Sequence, residues 1–229
     1  MGSIAEKASG SEVLERLRKS LSPRWDEYVA LVSYRVDKDP FAVLVSIVLS
    51  QNTNDKNSIK AYLKLRENVG VSVNDIMEAS ENSIIESIKI AGLARQKAKT
   101  LKELAKAVHS WGGPDYLLRE DPSILRKKLI GIPGVGPKTA DVFLSLVRKA
   151  RGVFAVDTHA ARIAKRWGLV GEKAGYDEVS QSLIRFFGDE NNEEAHRLLI
   201  ALGRKYCAAR RPRCVECPLK DICPSARQQ

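Results

Sequence analysis

The sequence has no apolar run long enough to cross a membrane. Its longest, Phe41 to Leu49, is interrupted only by Ser46, whereas a transmembrane helix needs about 20 apolar residues. The opening residues MGSIAEKASG lack the apolar core of a secretory leader, and Glu6 stands where a myristoylation signal has Ser or Thr. We therefore expect a buried helix at 41–49, no membrane partner, and an intracellular protein of the cytoplasm and nucleoid, or of a eukaryotic nucleus.

Sustained alternation of apolar and polar residues, the signature of a half-buried strand, is also missing. Helical spacing recurs instead, as in Val13, Leu14 and Leu17 and again along residues 98–108 and 195–202. Glycine and proline punctuate the chain into about ten short segments. The sequence thus predicts an all-α protein, and its 229 residues suffice to bury a core.

Acidic residues are too few to balance the basic ones: the chain has 28 Asp and Glu but 38 Lys and Arg, which gives a formal net charge of +10. An excess of this size favours a polyanionic partner, usually nucleic acid, although solubility alone is an alternative explanation. Six basic residues crowd the C-terminal end as either a phosphate-facing surface or a solvated tail: Arg204, Lys205, Arg210, Arg211, Arg213 and Lys220.

Cysteine is absent until residue 207, and all four cysteines then fall close together. Cys207, Cys214, Cys217 and Cys223 are spaced C-x6-C-x2-C-x5-C. Disulfides are not expected in a reducing compartment. Four thiolates in a short segment are typical of a zinc site or of an iron–sulfur cluster, and the spacing alone leaves both open. Either metal would fold a segment that otherwise resembles a loop.

A tight reversal is predicted between two helices, one ending near Ile130 and the next beginning at Pro137. Proline suits the first position of a helix, where its missing N–H would have had no partner. Gly134 and Gly136 allow a sharp turn and close backbone approach. The free N–H groups at the start of the second helix would bind a DNA phosphate without reading the base sequence.

Lys138 follows in the first turn of that second helix. The helix dipole disfavours an ammonium group there, so the position favours the neutral amine that nucleophilic attack requires. The alternative is that Lys138 is one more phosphate contact.

Asp157 lies in the segment Val156-Asp157-Thr158-His159, just before an amphipathic stretch. Either Asp157 or Thr158 is suited to cap that helix. A carboxylate beside buried surface also stabilises an oxocarbenium-like sugar cation when a glycosidic bond breaks. Capping and catalysis are compatible roles for Asp157.

These three motifs together resemble the endonuclease III family of helix–hairpin–helix DNA glycosylases. The motifs are Pro133 to Ala140, then Val156 to His159, then the four cysteines, in the family's order and near its spacing. The likeness extends from about Phe41 to Cys223. It implies two helical domains flanking a DNA-binding cleft: a six-helix barrel at 34–150, and a cluster domain formed by 1–33 and 151–229.

The resemblance also implies the roles of individual residues. Lys138 would be the nucleophile and Asp157 its catalytic partner, and the cysteines would hold a 4Fe–4S cluster. The implied DNA contacts are Gln51, Asn52, Leu93, Gly134, Val135, Gly136, Thr139 and His159. Pro137 departs from bacterial relatives, which often carry a basic residue there, and this would alter a phosphate contact but not the chemistry.

Two loops resemble those that enter the DNA when a base is flipped. Residues 49–55 match the loop that fills the gap, with Gln51 and Asn52 as alternative fillers; the other explanation is a turn with Asn54 or Asp55 as a helix cap. Residues 91–93 match a wedge loop in which Leu93 inserts into the duplex. The alternative for Leu93 is a place in the core.

The resemblance implies a monomeric enzyme that acts on damaged double-stranded DNA. It would excise oxidised pyrimidines through a Schiff base on Lys138 and then nick the strand by β-elimination. Relatives specific for adenine opposite oxoguanine, or for thymine in G·T mismatches, typically lack a lysine at this position, and 8-oxoguanine glycosylases usually lack the cysteines. A non-catalytic DNA-binding module is the remaining alternative, and the presence of both Lys138 and Asp157 disfavours it.

Overall fold

A computed structural model describes residues 2–228 and divides the chain into two compact units. Unit 1 comprises Met1–Pro23 and Lys149–Gln229, and unit 2 is Arg24–Arg148. No strand occurs among the described residues, so the prediction of an all-α protein is confirmed.

Unit 2 is built around an apolar central helix. Its helices are α2 (Val29–Val36), α3 (Pro40–Leu49), α4 (Asp55–Asn68), α5 (Val73–Glu78), α6 (Glu81–Ile88), α7 (Ala94–Ser110), α8 (Tyr116–Arg119), α9 (Pro122–Ile130) and α10 (Pro137–Leu146). Asp39 caps α3 through the Phe41 N–H, and Pro40 occupies the first helical position. Residues 41–49 are all buried, and α2, α4, α7 and α10 pack against α3. The predicted buried helix is therefore confirmed.

Unit 1 is a smaller bundle whose core is rich in aromatic residues. Its helices are α1 (Gly10–Ser20), α11 (Thr158–Arg166), α12 (Tyr176–Phe187) and α13 (Asn192–Lys205). Helix α1 packs against α12 and α13, and α11 packs against the same two helices. The fully buried ring of Phe154 stacks on Phe187, and Trp167 meets Phe187 edge to face. The N-terminal segment joins this core because Ile4 donates its N–H to the Trp167 carbonyl at 2.9 Å.

The two units differ in their limits from the predicted domains 1–33, 34–150 and 151–229. Position 33 falls inside α2, and Ser33 donates a hydrogen bond from its hydroxyl to Ser46 on α3 at 2.8 Å. Because α2 packs on α3, the whole of α2 lies in unit 2. Of the helices described for residues 2–228, not one combines the length and the apolarity needed to cross a membrane.

Candidate functional site

The predicted reversal lies in unit 2, where α9 ends at Ile130 and α10 begins at Pro137, as expected. Gly134 adopts a φ of +87°, and a Cβ atom placed on it would lie 2.0 Å from the Thr100 hydroxyl oxygen. Only glycine fits there, because both the backbone conformation and the space exclude a side chain. Gly136 caps α10 without a side-chain hydrogen bond, so the N–H groups of the first turn point outward with no acceptor inside the helix.

A partly buried ion pair fixes the angle between the two helices of this hairpin. Arg126 on α9 donates from Nε and Nη2 to the two carboxylate oxygens of Asp141 on α10, at 2.6 and 3.0 Å. Asp141 is 1% exposed. Two parallel bonds from a planar guanidinium restrain orientation as well as distance.

Lys138 stands second in α10 and is half-buried. Its ammonium group forms no hydrogen bond or ion pair with any other residue of the described range 2–228. The other two lysines of unit 2 that are not exposed, Lys97 and Lys102, both donate hydrogen bonds to backbone carbonyls. Lys138 therefore presents a free amine at the start of a helix.

Other predicted DNA contacts in the hairpin are packed inward. The side chains of Val135 and Thr139 are buried, and the Val135 N–H donates to the Ile132 carbonyl at 2.9 Å. The Thr139 hydroxyl accepts a hydrogen bond from Gln51. These side chains hold the turn in shape, and its accessible backbone is that of the exposed Gly134 and the half-buried Gly136.

The two alternative gap-filling residues behave differently. Gln51 donates from its amide nitrogen to the Gly134 carbonyl and to the Thr139 hydroxyl, both at 3.0 Å. Asn52 is exposed and has a φ of +51°. The predicted helix cap is confirmed in the same loop, since the Asn54 side chain accepts from the Asn57 N–H.

Leu93 is exposed on the surface of unit 2. It immediately precedes α7 in a left-handed conformation, with φ +51°, and 54% of its surface is exposed. The alternative of a place in the core is therefore wrong for Leu93. Gly92 just before it has a φ of +69°, so two successive residues turn this apolar side chain outward.

Asp157 lies in unit 1 as the cap of α11. Its carboxylate accepts a hydrogen bond from the Ala160 N–H at 2.7 Å, so the predicted capping role falls to Asp157. The preceding residues 154–156 are buried, which places this half-buried carboxylate at the edge of the core, as expected. The ring of His159 packs against Gly203, where an added Cβ would lie 2.2 Å from Nδ1, and His159 also bonds Arg162 at 2.9 Å.

The four cysteines are also in unit 1, and all are free of disulfides. Cys207, Cys217 and Cys223 pack against the core of the unit. Burial raises the pKa of Cys217 to about 11, and the charges of the other three thiols act in the same direction. The Cys217 sulfur thus lies within electrostatic reach of the other three. Among residues 2–228 no group of three or more His, Cys, Asp or Glu side chains is placed to hold a single metal ion.

Two arginines on α11, not identified from the sequence, hold the first cysteine in place. Arg166 donates to the Cys207 sulfur at 3.2 Å and to the Ala208 carbonyl at 2.8 Å. Arg162 donates to the Cys207 carbonyl at 3.0 Å. The six basic residues around the cysteines are all exposed, which both of their predicted roles require: Arg204, Lys205, Arg210, Arg211, Arg213 and Lys220.

Lys97 and Thr100 on α7 were also missed, although the sequence held a signal for Lys97. Lys97 lies one turn before Leu101, on the apolar stripe that continues to Ala105 and Val108. A charged residue on the buried stripe of a helix requires partners of its own. Lys97 is 2% exposed and donates to two backbone carbonyls, while Thr100 packs on Gly134.

Comparison with known proteins places these features in a family context. Residues 45–188 match the family model described as HhH-GPD superfamily base excision DNA repair protein. The chain is 34% identical over 214 residues to endonuclease III of Sulfolobus acidocaldarius, covering 93% of this chain and 94% of that protein. It is 32% identical over 202 residues to endonuclease III of Bacillus subtilis, covering 85% of each.

Two solved structures are similar along nearly the whole chain. One is a non-covalent complex of an endonuclease III with DNA, at a TM-score of 0.80 and 26% identity, covering 100% of this chain and 98% of that one. The other is a trapped covalent intermediate of an endonuclease III with DNA, at a TM-score of 0.73 and 27% identity, covering 91% and 98%.

Proposed function

This chain belongs to the HhH-GPD superfamily of base excision DNA repair proteins and, within it, to the endonuclease III family, and we propose that it removes oxidised pyrimidines through a Schiff base on Lys138. As a member of that family it is a DNA glycosylase and lyase of base excision repair. The proposal adds the class of damaged base and the residues that act on it.

The free amine of Lys138 is the observation that carries the proposal. Amine nucleophiles must be accessible and must not be held by an acceptor. Lys138 is half-buried, in the first turn of α10, and unpaired within residues 2–228. The accessible backbone of Gly134 and Gly136 precedes it by a few residues, so a DNA phosphate bound at this turn brings a sugar near the amine. A covalent protein–DNA intermediate has been trapped in a similar protein.

In the first step the Lys138 amine attacks C1′ of the deoxyribose. The new N–C1′ bond forms as the C1′–N bond to the base breaks, and the base leaves with the electron pair and takes up a proton. Positive charge builds on the sugar as this bond lengthens. The Asp157 carboxylate, fixed by the Ala160 N–H, would stabilise that charge.

In the second step the nitrogen, now a secondary ammonium, loses one of its two protons to solvent. The C1′–O4′ bond then breaks, O4′ takes up a proton, and a protonated Schiff base forms at C1′. The Schiff base makes the C2′ proton acidic. Solvent removes that proton, the C2′–C3′ double bond forms, and the C3′–O bond breaks, so that the strand on the 3′ side leaves with a 5′-phosphate. Water then hydrolyses the Schiff base and frees the lysine. The lyase reaction therefore follows from the same amine, without a second nucleophile.

The cysteine segment fits a 4Fe–4S cluster. Thiolates are the usual ligands of such clusters, and the Cys217 thiol lies within electrostatic reach of the other three free thiols of unit 1. We propose that Cys207, Cys214, Cys217 and Cys223 hold the cluster, which cross-links the segment when bound. The exposed arginines and lysines around it would then face the DNA phosphates.

Damaged duplex DNA is the proposed partner, bound by a monomer. A panel of duplexes, each with one lesion, tests the substrate class: thymine glycol and dihydrouracil for oxidised pyrimidines, with 8-oxoguanine and a G·T mismatch as competitors. We expect incision at the oxidised pyrimidines and at an abasic site. Incision of the G·T mismatch or of 8-oxoguanine in their place would overturn the proposed substrate class.

A further inference from the structure

Lys97 is a buried cation with no acidic partner described. Only 2% of its surface is exposed, and its ammonium group donates to the backbone carbonyls of Leu49 and Ala91, both at 2.8 Å. Burial lowers the pKa of Lys97 to about 8, so the amine is still mostly protonated at neutral pH. A leucine or methionine would fill the same space without burying a charge, so the contacts of this lysine call for a specific explanation.

The two carbonyls that accept from Lys97 occupy matching places in the two DNA-entering loops. Leu49 is the last residue of α3, two positions before Gln51 in the gap-filling loop 49–55. Ala91 ends the 3-10 turn Lys89–Ala91, two positions before Leu93 in the wedge loop 91–93. Carbonyls at the end of a helix lack a partner inside it and carry partial negative charge, which suits an ammonium donor.

Helix α7 connects these two loops to the hairpin as well. Lys97 lies in the first turn of α7, where a side chain points back toward the helix N-terminus and thus toward both loops. Thr100, three residues on, packs on Gly134 of the hairpin. Gln51 completes the connection from the gap-filling loop to Gly134 and Thr139.

We propose that Lys97 is a positioning residue, which holds the gap-filling loop and the wedge loop in a fixed register so that both enter the DNA as the damaged base is flipped out. The proposal rests on the proposed function. Lys97 itself touches neither the DNA nor the reacting atoms. It matters most when a paired base must be extruded, and least when the sugar carries no base.

The variant that tests this is Lys97→Met, which keeps the length and volume of the side chain and removes its donors. The chain offers a matched control in Lys102, on the same helix. Lys102 also donates to two backbone carbonyls, those of Met77 and Ala79 at the end of α5, and is partly buried, but its partners belong to neither loop. Lys102→Met therefore controls for the loss of a lysine that donates hydrogen bonds to the carbonyls at a helix C-terminus.

The measurement is a ratio of two single-turnover rates. One is excision from a duplex with thymine glycol opposite adenine, and the other is incision of the same duplex with an abasic site at that position. Lys97→Met should lower the ratio about 10- to 100-fold, because a small displacement of a positioning element is enough for such a loss. Lys102→Met should leave it unchanged.

A second readout follows the DNA directly. With 2-aminopurine opposite the lesion, the fluorescence rise that accompanies unstacking should slow in Lys97→Met and not in Lys102→Met. The effects of Lys97→Met and Leu93→Ala on excision should also be less than additive, because the lysine acts through the loop that carries Leu93.

The outcomes separate this proposal from the proposed function. If the unmodified enzyme incises neither substrate, the proposed function is wrong. If it incises both and the ratio for Lys97→Met equals that for Lys102→Met, the positioning role alone is wrong. Should Lys97→Met not fold, Lys97→Gln, whose shorter amide reaches only one carbonyl, should show the same loss; failure of both variants to fold would make Lys97 a core residue and overturn the proposal.

Discussion

The side-chain amide of Gln51 donates a hydrogen bond to the Thr139 hydroxyl at 3.0 Å, across 88 residues of sequence. A second bond of the same nitrogen reaches the Gly134 carbonyl. Gln51 thus binds the hairpin that presents Lys138, whereas its neighbour Asn52 is exposed. This difference assigns separate tasks to two residues that the sequence could not tell apart.

We predict that Asn52 fills the gap left by the flipped base and that Gln51 supports the hairpin. Asn52→Gly keeps the left-handed backbone and removes the side chain, so it should slow excision of thymine glycol with unchanged affinity for undamaged duplex. Gln51→Ala leaves the buried Thr139 hydroxyl without this partner, which costs about 1–3 kcal/mol, and should lower both the excision rate and the affinity for undamaged duplex. Single-turnover rates and binding isotherms measure these effects. The assignment is reversed if Asn52→Gly excises at the normal rate and Gln51→Ala binds undamaged DNA normally.

Leu93→Ala should reduce excision from a paired lesion while leaving the melting temperature nearly unchanged. Leu93 is 54% exposed, so its truncation removes little buried surface. Leu118→Ala, on α8 and 45% exposed, is the matched control and should alter neither quantity. Equal excision rates for the two variants would rule out a wedge role for Leu93.

The cysteine segment should contain iron and inorganic sulfide in equal amounts and give the protein a brown colour. Cys214→Ser should lower the iron content and the affinity for undamaged duplex, because the exposed basic residues around the segment would lose their framework. Elemental analysis of protein purified without added metal is the measurement. Stoichiometric zinc without iron would contradict the cluster.

The free energy of unfolding of the unmodified protein should rise with pH relative to that of Lys97→Met, because Lys97 is buried. Its folded pKa, about 8, lies below the ordinary value of 10.5. Between these two pH values the unfolded chain still holds a proton that the folded chain has lost, so the free energy of unfolding rises with pH, by up to about 3 kcal/mol. Urea unfolding of both proteins from about pH 7 to 11 measures the difference. Parallel pH profiles would show that Lys97 is not a buried cation.

Local signals made the hairpin and the capping aspartate predictable from the sequence. Proline at a helix start and glycine in a turn act within a few residues, and both limits of the hairpin were placed correctly. The contacts of Gln51 with the hairpin and of Lys97 with Leu49 join residues that are 48 to 88 positions apart in the sequence. Only the contact of Lys97 with Ala91 is local. Periodicity could not decide whether Leu93 is exposed, because a residue at the start of a helix belongs to no stripe.

The roles of Asp157 and Lys138 should be distinguished by comparing a damaged base with an abasic site as the substrate. Asp157→Asn keeps an oxygen that can cap α11 but removes the charge that would stabilise the sugar cation. It should slow excision of a damaged base more than incision at an abasic site, where no glycosidic bond remains. Equal losses on the two substrates would argue against a role in breaking that bond.

Reductive trapping tests the role of Lys138 most directly. Borohydride added during the reaction should reduce the Schiff base and leave a covalent complex with DNA that carries thymine glycol or an abasic site. Lys138→Gln should abolish the complex while keeping the fold and most binding to undamaged duplex, since the side chain is only half-buried and unpaired within residues 2–228. Complete loss of trapping in a folded, DNA-binding Lys138→Gln protein is the predicted result; undiminished trapping in that variant would show that another amine is the nucleophile.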